Sequence, residues 1–183
     1  MVTLLRHTAV ARHWQGCCYG ASDVGLSAAG LAAARALAEA LPVAGVTRLQ
    51  ASPLRRARLL GGLLSRRLGL PLEIVPALRE RDFGAWEGRS WDAIHAETGD
   101  SMMGMIEAPD SFRPGGGETT AELAQRVLAW FETLPTDGGV VAVTHGGPVA
   151  ALRGRLAGLP VPEWLGLIPA HGEAVRLPGW TGC

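Results

Sequence analysis

Short apolar runs alternate with helical stretches along this chain, and two of the runs stop abruptly at a histidine. VTLL (2–5) reads as a buried strand and is followed at once by Arg6 and His7. VTRLQAS (46–52) reads as a second strand and LEIVP (72–76) as a third apolar run. GGVVAVTHGG (138–147) holds another strand that ends at His145, and EAVRLP (173–178) supplies a last, edge strand. Between the runs the spacing predicts helices. One opens at Ser27 and stops before Pro42. A second, SPLRRARLLGGLLSRRLG (52–69), has Ser52 as its cap, Pro53 in its first turn and Gly69 as its stop. A third runs from about Thr119 to Leu134, and a fourth follows His145 with Pro148 in its first turn. The stretch 77–117 is the least regular.

Strands alternating with helices imply right-handed crossovers and a mostly parallel sheet covered on both faces, a three-layer α/β/α sandwich. Ligands of such sheets bind outside the carboxyl ends of the strands. The abrupt change from VTLL to Arg6–His7 therefore marks the edge of a pocket.

Composition narrows the chemistry further. The 183 residues, 48% of them hydrophobic, suit one domain over 1–183 with a core that needs no staples. Net charge is zero, so no global basic field draws the protein to nucleic acid or a membrane surface. All 17 basic residues are arginines, which excludes a Walker-type lysine, a Schiff base and a lysine general base. No apolar stretch approaches the roughly 20 residues needed to span a bilayer. Cys17, Cys18 and Cys183 make a poor disulfide framework, and the N-terminal region lacks the pattern of a signal peptide. A reducing cytoplasm is the expected setting.

The residues gathered at the strand ends suit phosphoryl transfer. Arg6 and His7 follow the first strand, Arg55 and Arg56 the second, Glu80 the third, and His145 the strand VVAVT. Arginine's planar fork binds a tetrahedral anion and stays charged. A neutral imidazole can take the phosphoryl group and split one hard displacement into two easier ones. A serine-hydrolase elbow fails in GASDVG, because Gly25 falls one position late for G-x-S-x-G. A metal site on His7, Glu80 and His145 would place a divalent cation among arginines that repel it, so neither metal nor cofactor is expected.

LLRHT, CYGASDVGLSAAG, SPLRRA, LRERDFGAWEG, PGGGE and VTHGG occur in the order that resembles the histidine phosphatase, or phosphoglycerate mutase-like, superfamily. The resemblance implies that His7 is the nucleophile that becomes phosphohistidine. Arg6 and Arg56 then bind phosphate, and His145 binds the phosphoryl oxygens. Glu80 protonates the leaving oxygen and later activates water. Gly146 and the helix start offer backbone donors to the same anion. Thr8 stands where the family usually has glycine, and it either crowds the pocket or donates to phosphate. GCCYGASD is most similar to the branch of α-ribazole phosphate phosphatases, which brings Tyr19 and Gly20 to the substrate and makes α-ribazole phosphate the best specific guess beside a broad-specificity phosphatase.

Other readings stand beside these. A phosphoglycerate mutase shares the chemistry but resembles longer chains with a larger insertion between the positions of Glu80 and His145. A non-catalytic phosphate-binding module on the same fold is the third. The expected partners are a small phosphate ester and inorganic phosphate as product, with a homodimer left open. His13, in the loop after His7, is placed near the substrate. His95 and His171 have no motif behind them and read as plain surface or core residues. Arg55 reads as solvated, Asp82 as the competitor Glu80 must beat, and Glu118 as a helix-start carboxylate behind the site. Trp86 and Trp91 either wall the pocket or pack in the core. Cys17 and Cys18 read as unreactive.

Overall fold

In the computed structural model residues 1–177 are described; residues 178–183, which include Cys183 and the final proline of the last predicted strand, lie outside them. Strands β1 (Val2–Arg6), β2 (Val46–Ala51), β3 (Leu72–Ile74), β4 (Gly139–Thr144) and β5 (Ala174–Leu177) form one sheet in the order β3-β2-β4-β1-β5. All pairings are parallel except β1 with β5, which closes the far edge antiparallel. β4 lies in the middle and is buried at every position, as a strand covered on both faces must be.

Alternation along the strands assigns the two faces. Leu4, Val140 and Ala142 point towards α5 (Thr120–Glu132) and α6 (Gly146–Leu156). Leu5, Val141 and Val143 point towards α1 (Ala28–Ala40) and α2 (Arg55–Leu68). The result is the expected three-layer α/β/α arrangement. Ser27 caps α1 by accepting a hydrogen bond from Gly30 N at 2.8 Å. Thr119 and Glu122 form a capping box at the start of α5, satisfying donors that the first helical turn leaves free. Gly69 ends α2 in the left-handed region that a side chain would strain.

Two local expectations need correction. Ser52 is not the cap of α2, which starts three residues later with Leu54 at its cap position. The Ser52 hydroxyl instead accepts from Leu54 N at 3.3 Å and turns towards His145. The stretch 77–117 is also more ordered than its irregular sequence suggests. It contains α3 (Trp91–Thr98), capped by Ser90 through Ala93 N, and the single turn α4 (Gly104–Glu107). Its two glycine turns interlock, since a Cβ on Gly84 would fall 2.2 Å from the Gly115 carbonyl oxygen. Phe83, Trp86, Trp91, Ile94, Met102 and Phe112 fill a separate small core beneath it.

After α6 the chain turns through Val161–Leu167 and lays Trp164 against that helix. Gly154 makes this possible. A Cβ there would lie 2.2 Å from the Trp164 indole nitrogen, which donates to Leu159 O at 2.9 Å. Gly154→Ala is therefore expected to cost about 2 kcal/mol of folding stability through overpacking, read as a lowered urea midpoint. An unchanged midpoint would show that this contact has slack.

Candidate active site

The register of β1 and β4 sets the site. Arg6 pairs with Thr144, so the next residues, His7 and His145, leave the sheet side by side, with His7 N donating to Thr144 O at 3.1 Å. Their ring centroids are 5.1 Å apart. The chain leaves β1 towards α1 on one face and leaves β4 into α6 on the other. This divergence opens a crevice at the carboxyl ends of the two strands.

The partners of each imidazole fix its tautomer. His7 Nδ1 lies 2.7 Å from the Thr8 carbonyl oxygen, which can only accept, so Nδ1 carries the proton and Nε2 keeps its lone pair. Arg56 Nε donates to His145 Nδ1 at 3.2 Å, so His145 carries its proton on Nε2, 2.7 Å from the Ser52 hydroxyl. Burial, then the Arg56 charge, holds both imidazoles well below their ordinary protonation range. Both are neutral at physiological pH.

Arg56 is completely buried beneath this pair. Its nitrogens donate to His145, to Ser22 O at 2.7 Å and to Gly20 O, and Tyr19 covers it with its ring centroid 5.2 Å away. Arg6 donates to Pro169 O at 2.6 Å and to His171 Nε2 at 3.2 Å. Arg6 Nε is buried with no partner among the described residues. Neither arginine forms an ion pair with a carboxylate among those residues. Two guanidinium groups without a direct carboxylate partner and one orphan donor suit an anion.

A cavity of about 510 Å³ opens over these groups, and Arg6, His7, Tyr19, Gly20, Glu80 and Gly146 line it. Glu80 is held at its edge by Gly147 N at 3.1 Å and by its neighbour Arg81 N at 2.9 Å. A side chain at Gly147 would push the Glu80 carboxylate out of this position, because a Cβ would fall 2.2 Å from a Glu80 oxygen. Behind Glu80, Arg126 donates to Ala77 O and Glu80 O and is itself held by Glu118 at 2.6 Å. Thr144 Oγ1 donates to Leu78 O at 2.7 Å and ties the same segment to β4. Glu118 thus sits behind the site, as expected. Asp82 is spent on Gly84 N in a turn.

Several predicted residues fall elsewhere. Thr8 does not face the cavity; it is buried, and its hydroxyl donates to Gly30 O at 2.7 Å in the first turn of α1. His13 is exposed and lies 5.4 Å from the tilted Trp14 ring, outside the cavity lining. Arg56 and His145 are sealed behind the lining rather than part of it. Both ring nitrogens of His145 have protein partners, so contact with a phosphoryl oxygen requires Ser52 to be exchanged for it. Gly146 lies against Arg6 in the lining, while the helix-start donor seen in use is Gly147 N. Arg55 is exposed. Trp91 lines the cavity and Trp86 is core. Cys18 is buried, and burial pushes its thiol up to about 12.

The sequence reading missed His171 and Glu87. His171 sits 5.3 Å from the His7 ring, bound to Arg6, and burial beside the arginines pushes it down to about 4. No local motif announces it; only the return of the chain beside β1, where Gly172 N donates to Arg6 O and His7 O, brings it in. Glu87 accepts from Ala21 N, Ser22 N and Phe83 N and fixes the loop whose carbonyls hold Arg56. Its signal was a carboxylate between tryptophan and glycine in the quoted DFGAWEG motif. Among the described residues no cluster of three or more histidines, cysteines or carboxylates is placed to hold a metal ion, and no helix is long and apolar enough to cross a membrane.

Comparison with known proteins gives this geometry a family. The glucosyl-3-phosphoglycerate phosphatase of Mycolicibacterium vanbaalenii is 32% identical over 192 residues, covering 98% of this chain and 84% of that protein. A protein of an Enterobacter species named "Probable phosphoglycerate mutase GpmB" is 30% identical over 162 residues, covering 87% of this chain and 75% of the other. A mycobacterial glucosyl-3-phosphoglycerate phosphatase solved with inorganic phosphate superposes with a TM-score of 0.80 at 30% identity, covering 94% of this chain and 86% of that one. An α-ribazole phosphatase from Shigella flexneri shares the fold, with a TM-score of 0.79 at 24% identity over 96% of this chain and 90% of that one. The pattern of the Histidine phosphatase superfamily (branch 1) matches residues 2–177, nearly the whole chain, which therefore belongs to that superfamily.

Proposed function

We propose that this protein is a phosphomonoesterase that works through a phosphohistidine on His7. The observation that carries the reading is the His7 tautomer. A buried imidazole with its lone pair on Nε2 lies beside two arginine charges that lack carboxylate partners. In the first step Nε2 attacks phosphorus, the bond to the ester oxygen breaks, and Glu80 gives that oxygen its proton. In the second, Glu80 takes a proton from water, the oxygen attacks phosphorus, and the phosphorus–nitrogen bond breaks to release inorganic phosphate. Arg6 binds the phosphoryl oxygens, Arg56 lends charge from beneath, and His145 contributes Nε2–H when it leaves Ser52. His171 orients Arg6. The setting proposed is the cytoplasm, where Cys17 and Cys18 stay reduced.

For the substrate, the CYGASD segment supports α-ribazole phosphate, and the relatives at about 32% identity bring glucosyl-3-phosphoglycerate into the same panel. The mutase relative keeps a second reading in view. Isomerisation of phosphoglycerate dependent on bisphosphoglycerate and faster than phosphate release would favour it.

The reaction is tested by labelling. Acid-labile, base-stable phosphate from a labelled ester is expected on the wild-type protein and absent from His7→Gln, whose turnover falls by at least about 10³-fold. Label that persists in the variant would remove His7 as nucleophile. Glu80→Gln is expected to slow alkyl esters about 10²-fold or more and activated aryl esters far less, since only the former need their leaving oxygen protonated. Equal slowing would argue against a general acid.

The neutral imidazoles also set a pH dependence of stability. Unfolded histidine takes a proton near pH 6.5, whereas His7 and His145 resist protonation when folded. Below that pH the unfolded state binds more protons, so stability is full above about pH 6.5 and declines below it, by up to about 1.4 kcal/mol per pH unit for each histidine. Denaturation of wild type and His7→Asn at pH 7.5 and 5.5 measures the difference. The variant is expected to lose less stability on acidification, and equal losses would contradict the assigned state of His7.

A further inference from the structure

The cavity has two unlike ends. Its floor carries the charged groups already described. Beyond Glu80 the walls are apolar: Trp91, Met105 and Ile106 come from the 77–117 segment on one side, and Trp164, Leu165 and Ile168 from the chain after α6 on the other. Apolar side chains at the mouth remain open to solvent. Met103, Leu165 and Ile168 are 45%, 59% and 42% exposed, and all three line this cavity. Large apolar groups left wet around a concave site mark a surface that something apolar covers.

Several polar groups in these walls already have protein partners. Past Arg6, His7 and Glu80, the charged side chain lining the cavity is Arg81. It donates to Thr120 Oγ1 at 2.9 Å and lies 5.8 Å from the centre of the Phe83 ring. The Thr120 hydroxyl donates to Met105 O at 2.7 Å, and the Trp164 indole nitrogen to Leu159 O. The hydroxyls of a sugar or glycerate alcohol would lose hydration against the apolar part of these walls without regaining as many partners.

From this wall we infer that the site selects monophosphate esters of an apolar alcohol, aliphatic or aromatic and poor in hydroxyl groups, over sugar phosphates and phosphoglycerates. The inference rests on the proposed phosphatase reading and adds the identity of the leaving alcohol to it. The apolar part lies against Trp91, Met105 and Trp164 while the phosphate faces His7. An α-ribazole phosphate, with a benzimidazole on a ribose, lies between the two classes and belongs in the test.

The experiment is a series of propyl, butyl, pentyl and hexyl phosphates, whose leaving oxygens differ little in basicity, beside glycerol 3-phosphate, 3-phosphoglycerate and α-ribazole phosphate. Phosphate release gives kcat/KM for each. An increase of about fourfold per methylene is expected while the chain stays within the cavity, with propyl phosphate at least about tenfold ahead of glycerol 3-phosphate. In Leu165→Gln and Met103→Gln, both at exposed positions, the increase is expected to fall to about twofold per methylene. Glycerol 3-phosphate or 3-phosphoglycerate matching propyl phosphate, or a flat alkyl series, would overturn the inference and leave the phosphatase reading standing. A steep series that survives in His7→Gln would do the reverse, keeping the apolar pocket and removing the phosphohistidine. Release from no ester at all would remove both.

Discussion

A buried guanidinium without a carboxylate partner is the constraint around which this structure is built. Removing a cation from water costs several kcal/mol unless other groups replace its hydration. Arg56 is met by two main-chain carbonyls and a neutral imidazole, all dipoles rather than charges. The loop that supplies the carbonyls is anchored by Glu87, and Gly20 must be glycine because a Cβ would fall 2.2 Å from Arg81 O. The arrangement keeps Arg56 positive while leaving its charge unneutralised. Its field reaches both His7 and His145, helps hold them neutral, and favours an anion in the cavity above.

The sheet provides the accuracy that such a site needs. A parallel pair in fixed register brings two histidines, far apart in sequence, to the same level, and a shift of one residue would turn one of them into the core. Glu80 comes from a less regular segment and is secured in steps. Thr144 holds Leu78, Arg126 holds Ala77 and Glu80, Glu118 holds Arg126, and the first turn of α6 holds the carboxylate itself. Apart from the Arg126–Glu118 ion pair these are single hydrogen bonds, and together they hold the segment from several directions.

These two kinds of support were unequally legible in the sequence. Strand ends, caps such as Ser27 and the motif order all carry local signals, so the sequence alone places His7, His145, Arg6 and Glu80 near one another. Thr8, standing after His7 where the family usually has glycine, was placed at the pocket, but successive side chains leaving a strand point in opposite directions, and its hydroxyl goes to Gly30. Ser52 had the right spacing for a cap and was drawn instead to His145, a partner 93 residues away. His171 lay in a tail with no periodicity, and only the antiparallel return of β5 brings it to Arg6. Helix α3 was hidden by glycines and methionines around it, although Ser90 and Asp92 formed a start signal. Contacts set by tertiary return, rather than by local pattern, account for what was missed.

The charged floor and the apolar walls also bear on the order of the proposed reaction. While an apolar alcohol fills the outer cavity, water is displaced from above His7, and the arginine field acts in a drier medium on the transferring phosphoryl group. A polar alcohol would carry its own hydration into that space and weaken the field. Once the alcohol departs, the same walls hold nothing firmly, and the mouth beside Leu165 and Ile168 lies open to solvent. Water then enters at the step that consumes it, with Glu80 at the cavity edge to take its proton. In the proposed reaction, selectivity and sequence share one origin: the apolar surface that favours the alcohol keeps water out while the alcohol is bound, and its departure opens the site to solvent.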